Sequence, residues 1–275
     1  MFFYGFMQRA LQAALLISII APILGLFLIL RRQTLLADTL SHVSLAGVAL
    51  GMLLQTNPTW TNLLVVVLIS LLLEWIRTVY QSYSEISIAV LMSGGMALAL
   101  FIMGMNDSMT ADLNTFLFGS IVTISQTQVK FLYALTIGLV VGYLIFKRPM
   151  YVLTFDEETA HTTGLPVRLM SIVFNVVTGI TIAIIMPIVG SLLVSAILIL
   201  PAAISMRLSK SFNGVIFIAM GIALLGMVGG LYTSYHLGTP SGATIVLILL
   251  ALFAVVLLGE NIYQKWIDHQ QKSHP

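Results

Sequence analysis

The chain has 275 residues, of which 59% are hydrophobic and 8% charged, and a net charge of +2. A soluble domain carries about 25% charged residues, and 12 basic and 10 acidic side chains cannot give a chain of this length a water-facing surface. A soluble globular fold is thereby excluded, the small scattered charge argues against nucleic acid as a partner, and the absence of cysteine excludes disulfides and thiolate metal sites.

In chain order, apolar stretches at about 11–30, 40–56, 61–77, 86–104, 131–147, 169–186, 189–206, 213–232 and 242–259 predict nine spans. A span takes about 20 apolar residues, and its backbone must bond within itself, which selects helices over an open sheet. Eight spans are the alternative, because Ser41–Gln55 is short and carries a histidine. The first stretch ends at Arg31-Arg32 rather than at a small-residue cleavage site, so it reads as a retained span. Basic residues mark cytoplasmic ends. Arg31, Arg32, Arg77, Lys147, Arg148, Arg168, Arg207, Lys210, Lys265 and Lys272 all fall on one side of the nine-span arrangement. The N-terminus is then outside and the C-terminus, with a tail over 261–275, is cytoplasmic. The chain reads as one transmembrane domain, an all-α polytopic bundle.

Two connections exceed simple turns. Asn106–Lys130, on the outer side, has an apolar middle that predicts a short external helix. The stretch Lys147–Arg168, on the inner side, is the longest polar segment within the chain and is bracketed by Pro149 and Pro166. Asp156, Glu157 and Glu158 suit a helix start, and Gly164 followed by Pro166 suits its end. This segment is either a docking element for a soluble partner or an ordinary solvated loop.

Asp38 and His42 stand out in RRQTLLADTLSHVSLAGVALG. Their i,i+4 spacing puts them on one helical face, where carboxylate and imidazole can ligate a divalent cation. Ionisable groups within a span mark function by default. The competing reading is an interfacial pair, with Asp38 neutralising Arg31 or Arg32. Two ligands do not complete a site, so others must come from another helix or subunit. Ser41 and Ser44 add hydroxyls nearby. Gly47 and Gly51 predict a close helix crossing. Pro187 fits an outer turn and Pro201 a break inside the seventh span. His236, near Tyr232 and Tyr235, fits an aromatic belt or a second-tier cation contact at the outer mouth. Glu74 pairs with Arg77 at i,i+3, as an inner-surface ion pair. His161, His269 and His274 have no partner at ligand spacing. No Walker A, HExxH, GxSxG or dinucleotide motif is present, so the chain itself is not expected to be an enzyme.

Five segments in this order, RRQTLLADTLSHVSLAGVALG, DLNTFLFGSI, FDEETAHTTGLPV, GSLLVSAILILPAA and GLYTSYHLGTPSGATIV, resemble the permease subunits of zinc, manganese and iron ABC importers, the ABC-3 family. The similarity runs over nearly the whole chain. Where some members have a proline before the glycine of the second span, this chain has Ala46. The resemblance implies a homodimer with the pathway at its interface, cytoplasmic ABC ATPase subunits and an external metal-binding protein. It implies that Asp38 and His42, matching the family's DxxxH, line the pathway as transient metal ligands, with His236 the weakest candidate. It implies that Phe155, Asp156, Glu157, Gly164 and Pro166, within 148–168, couple to the ATPase. Gly119-Ser120 matches the GS after the external helix. No permanently bound cofactor is expected; a divalent metal, zinc in preference to manganese, is the transported substrate. The alternatives are a secondary metal transporter working without an ATPase, and a membrane scaffold that docks a soluble enzyme.

Overall fold

The computed structural model describes residues 4–79, 84–105, 107–120, 124–155 and 157–272, which form helices and their connections. In chain order these are α1 (Gly5–Leu30), α2 (Thr34–Leu53), α3 (Pro58–Val79), α4 (Ser84–Gly104), α5 (Asp107–Phe118), α6 (Gln126–Phe155), α7 (Glu157–Thr162), α8 (Val167–Val189), α9 (Val194–Leu208), α10 (Phe212–Leu237) and α11 (Ser241–Lys272). Nine of them are apolar and match the nine expected spans. Seven are long and apolar enough for a full crossing; the apolar part of α4 (Ile88–Gly104) and α9 are shorter. α5 is the external helix and α7 lies in the inner connection.

α1 is apolar on every side and buried on nearly every side, as suits a central helix. It packs on α6, α9 and α10, while α2 packs on α3, α4 and α8. The basic helix ends meet at one end of the bundle. Arg31 after α1 donates to Ser171 of α8, Lys147 of α6 donates to Asn213 of α10, and Arg207 of α9 pairs with Glu260 of α11 at 2.9 Å. By the positive-inside rule this end is cytoplasmic.

Several boundaries move. α1 starts at Gly5, and α6 extends from 126 to 155 rather than 131 to 147. Pro149 is accommodated inside α6 because the carbonyl that loses its donor lies at the polar inner end, beside Lys147 and Arg148. α11 continues to Lys272, so the expected tail begins as helix. Pro187 lies in the last turn of α8, not in the outer connection, which is the turn 190–193. α9 passes through Pro201 without a break. Gly47 and Gly51 make the expected close crossing: a Cβ on either would come within 2.8 and 2.7 Å of the α3 backbone, at Asn62 and Pro58.

At the outer end, three segments distant in sequence cross backbone to backbone. Gly119 follows α5 with φ +76°, and Gly190 follows α8 with φ +100°. Ser191 N donates to Phe116 O at 2.9 Å and Leu192 N to Leu117 O at 3.3 Å. A Cβ on Gly119 would sit 2.4 Å from the Val189 carbonyl carbon, and one on Gly190 2.4 Å from Leu117 O. Gly242, in the first turn of α11, closes the crossing: its Cβ would fall 2.0 Å from Val189 O.

Glu74 keeps its expected pairing with Arg77 and gains a closer partner from the fold. It is buried, with 5% of its surface exposed, and its Oε2 accepts from Asn175 Nδ2 of α8 at 2.6 Å. Arg77 stands farther off, at 3.8 Å. Asn62 Nδ2 makes a second buried link from α3 to α8, to Ala183 O at 3.1 Å. Replacing Asn175 by Ala removes the donor to a buried carboxylate, which costs about 1–3 kcal/mol. A thermal-unfolding scan in detergent is expected to show the N175A midpoint several degrees below that of the parent chain, with helix content unchanged below the transition.

Candidate functional site

α2 starts after a three-residue joint, with Arg32 at φ +55°. Asp38 lies four residues and His42 eight residues beyond Thr34, about 6 and 12 Å along the axis. In the first half of α2 nearly every side chain is buried. The exceptions are Thr34, Leu35, Asp38 and His42. Leu35, Asp38 and His42, spaced three and four apart, form one stripe that opens from an otherwise enclosed helix. Asp38 and His42 are each half-buried along it.

The two side chains are unspent. His42 Nδ1 is buried with no hydrogen-bond partner, as is Ser44 Oγ. Asp38 acts electrostatically on the imidazole, and neither of the ion pairs among the described residues uses it. Arg31 donates to Ser171 and lies 5.0 Å over the Phe174 ring. Ser41, the other hydroxyl nearby, donates to Ala37 O at 2.8 Å. A carboxylate and an imidazole one turn apart, with an unpartnered ring nitrogen, can supply two ligands to a divalent cation. Among the described residues no group of three or more His, Asp or Glu is assembled.

His236 is not brought to this pair. It lies in the last turn of α10, 24 residues or about 36 Å beyond the inner end of that helix. Its ring rests against Tyr232 at 4.6 Å and Tyr235 at 5.5 Å, an aromatic cluster at the outer end.

The inner segment is a knuckle, with the short α7 between α6 and α8. Phe155 ends α6 with 57% of its surface exposed, its ring 4.6 Å from Tyr151. Asp156 lies outside the described residues. Glu157 opens α7, a helix of six residues. Gly164 takes φ +77°, which lets Leu165 N return to Ala160 O at 3.1 Å, and Pro166 leads into α8. Leu153, Ala160, Val167 and Met170 form a small core beneath α7, separate from the main one. The stretch 148–168 is thus not all loop, since α6 claims its first third.

Comparison with known proteins places the whole arrangement. The model of the ABC 3 transport family matches residues 3–260. The chain belongs to the ABC 3 transport family. It is 31% identical to a probable metal transport system membrane protein of Treponema pallidum, over 94% of this chain and 97% of that one. It is 27% identical to the high-affinity zinc uptake system membrane protein ZnuB of Haemophilus influenzae, over 90% and 95%. Other relatives carry names for manganese and iron transport. Among solved structures, PsaBC from Streptococcus pneumoniae in complex with Fab superposes with a TM-score of 0.83 at 28% identity, covering 92% of this chain and 91% of that one. As an ABC-3 permease the chain is a multi-pass protein of the cell membrane, and the α1–α11 bundle is the ABC permease fold.

Neither the Asn175–Glu74 contact nor the outer crossing of Gly119, Gly190 and Gly242 is written in the local sequence pattern. An asparagine at mid-span was a usable signal, since a buried amide in lipid must find a partner.

Proposed function

We propose that this ABC-3 permease imports a divalent metal ion, zinc in preference to manganese, as a homodimer driven by cytoplasmic ATPase subunits and fed by an external metal-binding protein. The observation that carries the reading is the open stripe of α2, where half-buried Asp38 and His42 stand with an unpartnered imidazole nitrogen. The names of its relatives support a metal as cargo. Imidazole with carboxylate suits zinc, and carboxylate also accepts manganese. The two pairs of a dimer, facing each other, would supply four ligands held loosely enough to let the ion leave.

In this reading ATP-driven closure of the ATPase pushes on the inner segment that contains Phe155, Asp156, Glu157, Gly164 and Pro166, and the dimer interface rearranges around the metal. Phe155, an exposed aromatic at the inner end of α6, has the character of a docking anchor. Phe155→Ala is expected to weaken ATPase association by at least ~2 kcal/mol, roughly thirty-fold. Titration of the detergent-solubilised permease with labelled ATPase reads this directly; an unchanged affinity removes Phe155 from the docking surface.

Proteoliposomes test the function. With the permease, its ATPase and its binding protein reconstituted and ATP enclosed with the ATPase, zinc uptake is expected to exceed manganese uptake and to stop without ATP. Uptake that ignores ATP and follows an ion gradient would identify a secondary transporter instead.

A further inference from the structure

Between α1, α6 and α8 the bundle leaves an open groove of about 440 Å³. Its walls are apolar, with Phe27 from α1, Leu135 and Phe146 from α6, and Val173 and Val177 from α8. Gly138 and Gly142 of α6 line it one turn apart, and a Cβ built on either meets no atom within 4 Å. The groove follows α6 from Ala134 to Met150, about 24 Å at 1.5 Å per residue. One leaflet contributes roughly 15 Å of hydrocarbon, so an acyl chain can lie along the groove at full depth.

The inner end of the groove is basic. Lys147 lines it and also lines a second cavity of about 400 Å³, shared with Arg148, Tyr151, Phe212 and Asn213. Lys147 donates to the neutral Asn213 side chain and lies 5.8 Å over the Tyr143 ring. Among the described residues neither Lys147 nor Arg148 is paired with a carboxylate. Two cations with no carboxylate partner among the described residues, at the cytoplasmic interface directly beneath an apolar slot, match the charge and shape of an anionic phospholipid. Basic pockets between membrane helices on the cytoplasmic side bind such head groups.

We propose that this groove is a specific site for an anionic phospholipid of the inner leaflet, whose phosphate sits on Lys147 and Arg148 and whose acyl chain fills the slot between α1, α6 and α8. The lipid completes the surface over the groove between α6 and the helices it packs on, α1 and α8. It also ties the inner half of α6 to α1 and α8, just above the knuckle. This site is independent of the Asp38–His42 pair and of the metal carried.

The test uses the full chain in complex with its ATPase, released from nanodiscs containing equal amounts of phosphatidylglycerol and phosphatidylcholine, with bound lipid read by native mass spectrometry. Phosphatidylglycerol is expected to be retained preferentially. With about 1 kcal/mol per basic residue near an anionic surface, the K147Q/R148Q double variant should lower its retention about thirty-fold. Gly142→Trp, which fills the slot and leaves both charges, should displace it as well, and gives an independent reading if the charge variant assembles poorly. Equal retention of the two lipids, or retention unchanged in both variants, overturns the proposal. So does copy-to-copy crosslinking of a Gly142→Cys chain, which would make the groove an interface between subunits.

Discussion

Replacing Asp38 or His42 by Ala is expected to lower ATP-driven metal uptake by about a hundred-fold or more, while the permease still folds and still binds its ATPase. The magnitude follows from coordination chemistry. Loss of a group that merely orients a metal ligand costs 10–100-fold in affinity or activity, and in a dimer each substitution removes two ligands at once. Folding should survive because neither side chain holds the bundle together. Asp38 makes no ion pair among the described residues, His42 Nδ1 has no hydrogen-bond partner, and both lie on the open stripe of α2. The check is uptake in proteoliposomes beside gel filtration of the assembled complex. Uptake retained in both variants would move the pathway off α2. His42→Gln, which keeps the bulk and loses the imidazole, separates ligation from packing: it should behave as His42→Ala does.

Valine at Gly190 or Gly242 is expected to abolish the folded permease altogether. Gly190 combines a φ of +100° with a would-be Cβ 2.4 Å from Leu117 O. Backbone strain of this kind costs about 1–3 kcal/mol for a non-glycine residue, and here the obstructing atom is backbone that cannot rotate away. Gly242 meets Val189 O at 2.0 Å, and three helices, α5, α8 and α11, would have to part to admit a side chain. The sum exceeds the ~4 kcal/mol that marks an exceptional substitution, against a total stability of about 5–15 kcal/mol. The control is Gly94→Ala in α4, where a Cβ meets nothing within 4 Å. That change should be neutral or stabilising by up to about 1 kcal/mol. Membrane-inserted, monodisperse protein recovered by fluorescence-detected size exclusion reports all three; normal yields of G190V or G242V would show that the crossing is looser than its geometry.

Much of the molecule was legible in the sequence because lipid imposes simple rules. Spans follow from apolar length, sides from Arg and Lys, the external helix from an apolar patch inside a polar connection, and α7 from three acids before Gly164 and Pro166. What failed to show was tertiary. Pro187 reads locally as a turn residue, yet the last turn of α8 holds it; Pro149 reads as a helix stop, yet α6 runs on to Phe155. Glu74 has a ready partner three residues away in Arg77, and only the fold reveals that Asn175, about a hundred positions on, comes closer. The glycines at 119, 190 and 242 belong to three separate motifs, and nothing in their local spacing says that they meet. That Asp38 and His42 share one helical face was legible from spacing alone; their position on the open stripe of an otherwise buried helix was not, because burial depends on α3, α4 and α8 together.

The central claim is that the ion passes between two copies of the Asp38–His42 pair. Because the chain has no cysteine, His42→Cys gives a single thiol per copy, and Leu169→Cys, exposed on α8, serves as the outward-facing control. A short-spacer bismaleimide applied to membranes carrying the assembled transporter is predicted to convert the His42→Cys chain to a dimer-sized band and to leave the Leu169→Cys chain monomeric. A monomeric His42→Cys chain, in a complex that still runs as a dimer on a native gel, would contradict a pathway shared between the two pairs.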